Sequence, residues 1–151
     1  MKKIITLFLI SIIFYSCGFK NLNLADNFKI REININNIGR ETFILKNEIM
    51  NYSSNSSNTE LKLDLRIKSS EEIKDKDITN TVTKYNIIVE IQLKMEDLSR
   101  NKLYNRTFSK TAEYAAANNF SDTLQNKKKV KEDSILKLSE DILQFITNQL
   151  N

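Results

Sequence analysis

The sequence predicts an α+β domain, two layers deep, with a mixed four-stranded sheet and two helices on one face, in the order β-α-β-β-β-α. Three observations predict it. The stretch from Leu61 to Lys68 alternates apolar and polar residues without a fault, the pattern of a strand with one face buried and one wet. Two longer alternating stretches follow it. Near the C-terminus Val130, Ile135, Leu138, Ile142, Ile146 and Leu150 recur mostly at three- and four-residue steps, the stripe of an amphipathic helix. Helices with one apolar stripe and a sheet with one apolar face bury both by stacking as two layers.

Residues 18 to 27 alternate poorly and read as a tether. Phe28 to Ile35 reads as the first strand, with Phe28 and Ile30 on one face and Ile33 and Ile35 on the other unless a bulge intervenes. Gly39 to Tyr52 is expected to be helical, with positions 43, 49 and 50 near one side. A polar loop runs from Tyr52 to Asn58, and the alternating strand Leu61 to Lys68 follows. Ser69 to Asp77 is charged and is either a hairpin connection or an extended edge. Val82 to Met95 is the next strand, with Val89, Ile91, Leu93 and Met95 inward. Lys102 to Tyr114 is the last, with Tyr104, Arg106, Phe108 and Lys110 on one face, after a turn at Asp97 to Asn101. Residues 61 to 114 form an antiparallel meander whose outer face carries Lys62, Arg66, Lys68, Glu90, Lys94 and Glu96. Ser121 and Asp122 are the expected cap of the final helix. The chain has no Pro and two Gly, so its turns must come from Asn, Asp and Ser, which bond their own backbone and tolerate left-handed conformations. Residues 28 to 151 suffice for one domain with its own core.

The N-terminus carries a separate message. Lys2 and Lys3 precede an apolar run from Ile4 to Ile13, which has the layout of a secretory signal over residues 1 to 16. At about 1.5 Å per residue the run to Ser16 is too short for a hydrocarbon core of roughly 30 Å. Cys17, the only cysteine, stands where that run ends and reads as a lipid attachment point. A bacterial lipobox asks for a branched apolar residue three before the cysteine and small ones just before it; of Phe14, Tyr15 and Ser16, only Ser16 fits well. A plain secretory signal cut elsewhere and a buried core thiol are the competing readings. Each acyl methylene contributes about 0.8 kcal/mol to membrane partitioning, so a triacylated Cys17 holds a small domain firmly on a bilayer. Gly18 stands where an Asp would signal inner-membrane retention, which favours the outer membrane. With no second cysteine there is no disulfide framework.

Removing residues 1 to 16 takes two of the 23 basic residues and none of the 19 acidic ones. The near-neutral remainder speaks against a general nucleic-acid binder. The chain has no His, no spare Cys once Cys17 is acylated, and no Gly-rich phosphate loop, which argues against an enzyme, a metal site or a nucleotide cofactor. The acid pairs Glu71-Glu72, Glu132-Asp133 and Glu140-Asp141 are sequence neighbours whose side chains do not face each other on a helix. Two groups of cations are candidates for phosphate contact. Lys127, Lys128 and Lys129, with Lys131 nearby, suit lipid A phosphates, anionic head groups or an acidic partner; the plainer reading is the wet side of a helix balanced by Glu132 and Asp133. Arg66, Lys84 and Arg106 on strands offer charge-assisted hydrogen bonds, although any strand facing water carries such residues.

The assembled features resemble the lipopolysaccharide-assembly lipoprotein family LptE in its alphaproteobacterial form. Cys17-Gly18-Phe19-Lys20 is similar to that family's Cys-Gly-Phe-basic start, although Asn21-Leu22-Asn23 keeps only the Leu of its usual continuation. From Asn86 to Tyr114 a long strand, an Asp97-centred turn, a second strand and Ala112-Glu113-Tyr114-Ala115-Ala116 follow in the family's order. A charged lead-in from Gln125 to Asp133 and the helix Ile135 to Leu150 complete it. The resemblance implies a lipid-anchored protein on the periplasmic side of the outer membrane. Its partners would be a large β-barrel translocon of the LptD kind, which it plugs and helps assemble, and lipopolysaccharide. It fixes no ligand-contact residue. A lipoprotein adaptor of another envelope assembly or secretion complex, binding proteins through a sheet edge and no lipid, and an uncleaved inner-membrane protein are the alternatives.

Overall fold

The structure, a computed structural model, describes residues 28–37 and 39–150. Cys17, Gly18, the signal and the tether lie outside the described residues. The elements are β1 (Lys29–Ile35), α1 (Arg40–Met50), β2 (Glu60–Lys76), β3 (Val82–Asp97), β4 (Lys102–Ala115) and α2 (Phe120–Leu150). The sheet order is β1-β2-β3-β4. β1 runs parallel to β2 through the crossover helix α1, and the other neighbours are antiparallel hairpins. Both helices cover one face, as the periodicities predict.

The core lies between that face and α2. Leu61, Leu63, Leu65 and Ile67 of β2, and Ile87, Val89, Ile91, Leu93 and Met95 of β3, all point into it. From α2, Ile135, Leu138, Ile142, Leu143, Ile146 and Leu150 meet them. β1 contains the bulge that decides its faces: its register slips between Ile30 and Glu32, so Ile30, Ile33 and Ile35 stand opposite Leu61, Leu63 and Leu65. One extra residue thus turns both halves of the strand toward the core.

Two expectations need correction, and one open alternative is settled. In α1 the core contacts are Leu45 and Ile49, four residues apart, while Phe43 is 66% exposed and Met50 is also exposed. Six residues turn a helix by roughly 600°, so positions 43 and 49 lie about 120° apart and cannot share a stripe. The cap of α2 is Asn119, whose Oδ1 accepts the Asp122 N–H at 2.8 Å while its Nδ2 donates to Asp122 Oδ2 at 2.8 Å. Asp122 is therefore the third helical residue of a reciprocal capping pair, not part of the cap itself. For Ser69 to Asp77, the extended-edge alternative is the one realised: β2 continues to Lys76, paired with β3 on one side and beyond the reach of β1 on the other.

The turns are built as the absence of proline requires. Asn80 (φ 63°) and Asn101 (φ 52°) take the left-handed conformation. Asp77 Oδ1 accepts the Thr79 and Thr81 N–H groups at 2.8 and 2.9 Å, and Asp97 Oδ1 accepts those of Ser99 and Arg100 at 3.0 Å. Arg100 then reaches across and donates from Nη2 to the Leu150 carbonyl at 2.8 Å. It ties the β3–β4 turn to the carbonyl end of α2, where a cation also complements the helix dipole.

Candidate functional surfaces

The sheet face away from the helices is polar and built of cross-strand pairs. Lys62 stands opposite Glu96, Asp64 opposite Lys94, and Lys68 opposite Glu90. Each pair sets opposite charges side by side, which favours the register and leaves little net field. Arg66 is the exception, since its partner across the ladder is Gln92. Around it lies a shallow hollow lined by Asn36, Asp64, Gln92, Lys94, Asn105 and Thr107. One guanidinium with a fork of donors, set among three amides, a hydroxyl and the opposed Asp64 and Lys94, leaves one cation unanswered and suits a hydroxylated ligand bearing an anionic group.

The other sequence-predicted cations do not join Arg66. Lys84 shares its face but lies eight residues along β3 from Gln92, roughly 27 Å away at the rise of a strand. There it pairs with Asp75 at 3.6 Å. Arg106 is on the helix side, its guanidinium 4.9 Å from the Phe145 ring centre and 5.3 Å from that of Phe108. Those contacts are of the cation–π kind. Lys127 is engaged in an ion pair with Glu71, whereas Lys128 and Lys129 stand exposed on α2. Lys131 bridges to Glu41 of α1 at 2.7 Å. The candidates therefore divide among three surfaces.

A second surface emerges where β2, β3 and β4 run past the core. Glu71 accepts from Lys127 and from the Tyr114 hydroxyl, and the Tyr114 ring stacks on Tyr85 with centres 5.2 Å apart. The Lys127 ammonium, and to a lesser extent the Tyr114 hydroxyl, hold the Glu71 carboxyl below its ordinary value. Burial, then the Glu71 carboxylate, push the Tyr114 phenol up. Beyond this cluster Ile78 is fully exposed and Phe120 is 81% exposed, with Ile73 and Leu124 more than half exposed. A groove lined by Val82, Tyr85 and Tyr114 takes in two of them, Phe120 and Leu124. Sequence reasoning missed this end. Ile73 and Ile78 as isolated aliphatics among charges, and Phe120 beside a polar cap, were the available signals.

Among the described residues no helix is long and apolar enough to cross a membrane. Fold and surface together define a class: a small α+β domain with one helix-covered sheet face and one open, polar face. Solved structures that share this fold include three described as bacterial lipoproteins. Rare lipoprotein B from Shewanella oneidensis is similar at a TM-score of 0.62 and 10% identity, covering 78% of this chain and 95% of its own. Lipoprotein B from Nitrosomonas europaea gives 0.55 at 9% identity, covering 82% and 88%. A Caulobacter crescentus protein described as a lipoprotein gives 0.53 at 10% identity, covering 82% and 89%. At such identities the likeness is one of fold. No protein-family model and no curated protein matches the sequence.

Proposed function

We propose that this chain is an envelope lipoprotein, anchored through Cys17 on the periplasmic side of the outer membrane, which plugs a β-barrel translocon for lipopolysaccharide and supports its assembly. The observation that carries the reading is the fold shared with Shewanella rare lipoprotein B over nearly all of that protein's length. The cysteine that closes the apolar leader agrees with it, as does Gly18 after it. The protein acts without catalysis: it positions and fills. A wet, charge-compensated sheet face is suited to the hydrated interior of a barrel, where self-cancelling pairs avoid stranding charge. In this reading Arg66 contacts a phosphate or sugar hydroxyl of passing lipopolysaccharide.

The test is labelling with alkyne palmitate, followed by depletion. Label on the wild-type chain and none on Cys17→Ala, with loss of surface lipopolysaccharide on depletion, is the expected result. A general loss of outer-membrane proteins with normal lipopolysaccharide would replace this reading with an adaptor of another assembly machine. Absence of label on the wild-type chain would remove the anchor.

A further inference from the structure

We propose that the free edge of β4 is a docking site for an extended strand of a partner protein, one that carries carboxylates on its helix-facing side. A strand edge offers unpaired N–H and C=O groups, and proteins normally guard such edges with charges, bulges or short length. The other edge of this sheet is guarded in all three ways. β1 has seven residues, carries Lys29, Arg31 and Glu32, and slips register at its bulge. Where β2 runs beyond β1 it carries Lys68, Glu71, Glu72, Lys74 and Lys76, with register shifts around Asp75. β4 differs. Its 14 residues pair with β3 without a single shift, and among the described residues no strand pairs with its other side, where Asn126 Nδ2 donates to the Ala115 carbonyl at the end at 3.1 Å.

The backbone groups that face outward follow from one bond. The Ala116 N–H donates to the Thr83 carbonyl at 2.9 Å, and the ladder is unbroken, so even-numbered residues of β4 turn their backbone toward β3. Asn105, Thr107, Ser109 and Thr111 consequently present theirs to the open edge. Their side chains, on the open sheet face, are uncharged, and two are β-branched threonines.

The helix-facing side selects the occupant. Arg106 and Lys110 flank Phe108 there, and among the described residues neither forms an ion pair. A second copy docking antiparallel about Phe108 would set Arg106 against Lys110 twice over, a like-charge arrangement that opposes pairing. A partner strand with Asp or Glu four residues apart would instead answer both cations. Arg106 and Lys110 outnumber the one acid of the groove between β4 and α2, Asp141, and Gln144 and Asn148 beside it accommodate a polar helix-facing side. This inference does not depend on the lipid anchor or on a barrel as the partner.

The test uses the full chain in detergent and two peptides of about ten residues alternating Thr and Val, one with Glu and one with Lys at two helix-facing positions four apart. Fluorescence anisotropy gives affinity, and amide exchange reports positions 105, 107, 109 and 111. The expected result is slowed exchange at those amides with the Glu peptide, and at least about tenfold weaker binding of the Lys peptide, since two cross-strand pairs change sign. Lys110→Glu should weaken the Glu peptide and favour the Lys peptide. Ser109→Pro should abolish binding while keeping the β3 ladder, because its N–H faces out. Equal binding of both peptides overturns the proposal, as does binding indifferent to Lys110→Glu. Protection of these amides in the free chain, by a second copy or by the chain itself, also overturns it.

Discussion

The two ends of this sheet are held by different physics. Near β1 and α1, aliphatic side chains from β2, β3 and α2 interlock with almost no exposure, and Asp97 and Arg100 close that end by hydrogen bonds to a turn and to a helix terminus. Beyond Ile67 it is β2 that outruns the core, and ion pairs take over along it: Glu71 with Lys127, Lys74 with Glu113, and Asp75 with Lys84. Apolar burial contributes about 1.5–3 kcal/mol per large side chain, whereas exposed ion pairs contribute about 0–1 kcal/mol. The lesson is that the core end sets global stability, while the far end is available to open, bind or adapt.

The sharpest way to break that contrast is to hollow the core end. Ile142→Ala is expected to cost about 2–5 kcal/mol, read as a lower urea midpoint with an unchanged slope. A loss below 1 kcal/mol would mean that α2 does not anchor the sheet. A smaller effect is expected where α2 leaves the core: Asn119→Ala removes the capping pair and should cost about 1 kcal/mol. Amide exchange should then speed up in residues 120–126 and stay unchanged around Ile142.

The far end should respond to pH instead. The Glu71 carboxyl is held below its ordinary value of 4.5 in the folded chain, so its contribution is present above that value and is lost as pH falls through the lowered one. Glu71→Gln should therefore change little at pH 3 and reduce stability modestly at pH 7, flattening the acid limb of a thermal-melt profile. An unaltered acid limb would remove the ion pair from the account. The smallest change is expected for Ile78→Ser at the exposed hairpin tip, within about 0.5 kcal/mol. If it alters partner binding while leaving the melt untouched, the far end is a contact surface.

Much of this contrast was legible in the residues. The alternation of Leu61 to Lys68 and the stripe from Ile135 to Leu150 fixed which face each element buries, because a period of two or of 3.6 leaves one solution once a core must form. The faces of α1 were not legible, since Phe43 and Met50 compete with Leu45 and Ile49 for the stripe and only packing against α2 and β1 decides. The bulge in β1 was foreseen as a possibility but not located, because Arg31 carries no local signal for it. For the candidate sites, residue type gave the cations but grouped Arg66 with Arg106, which the structure puts on opposite faces of the sheet. Their dispersal among three surfaces, and the capture of Lys127 by Glu71, depend on tertiary neighbours that no spacing records.

The most direct test of the functional claim is to purify the tagged chain from detergent-solubilised membranes and identify what accompanies it. A large β-barrel in stoichiometric amount, retained through size exclusion, is the expected result. Recovery with only periplasmic proteins or other lipoproteins would contradict it and leave the likeness to rare lipoprotein B as shared architecture alone.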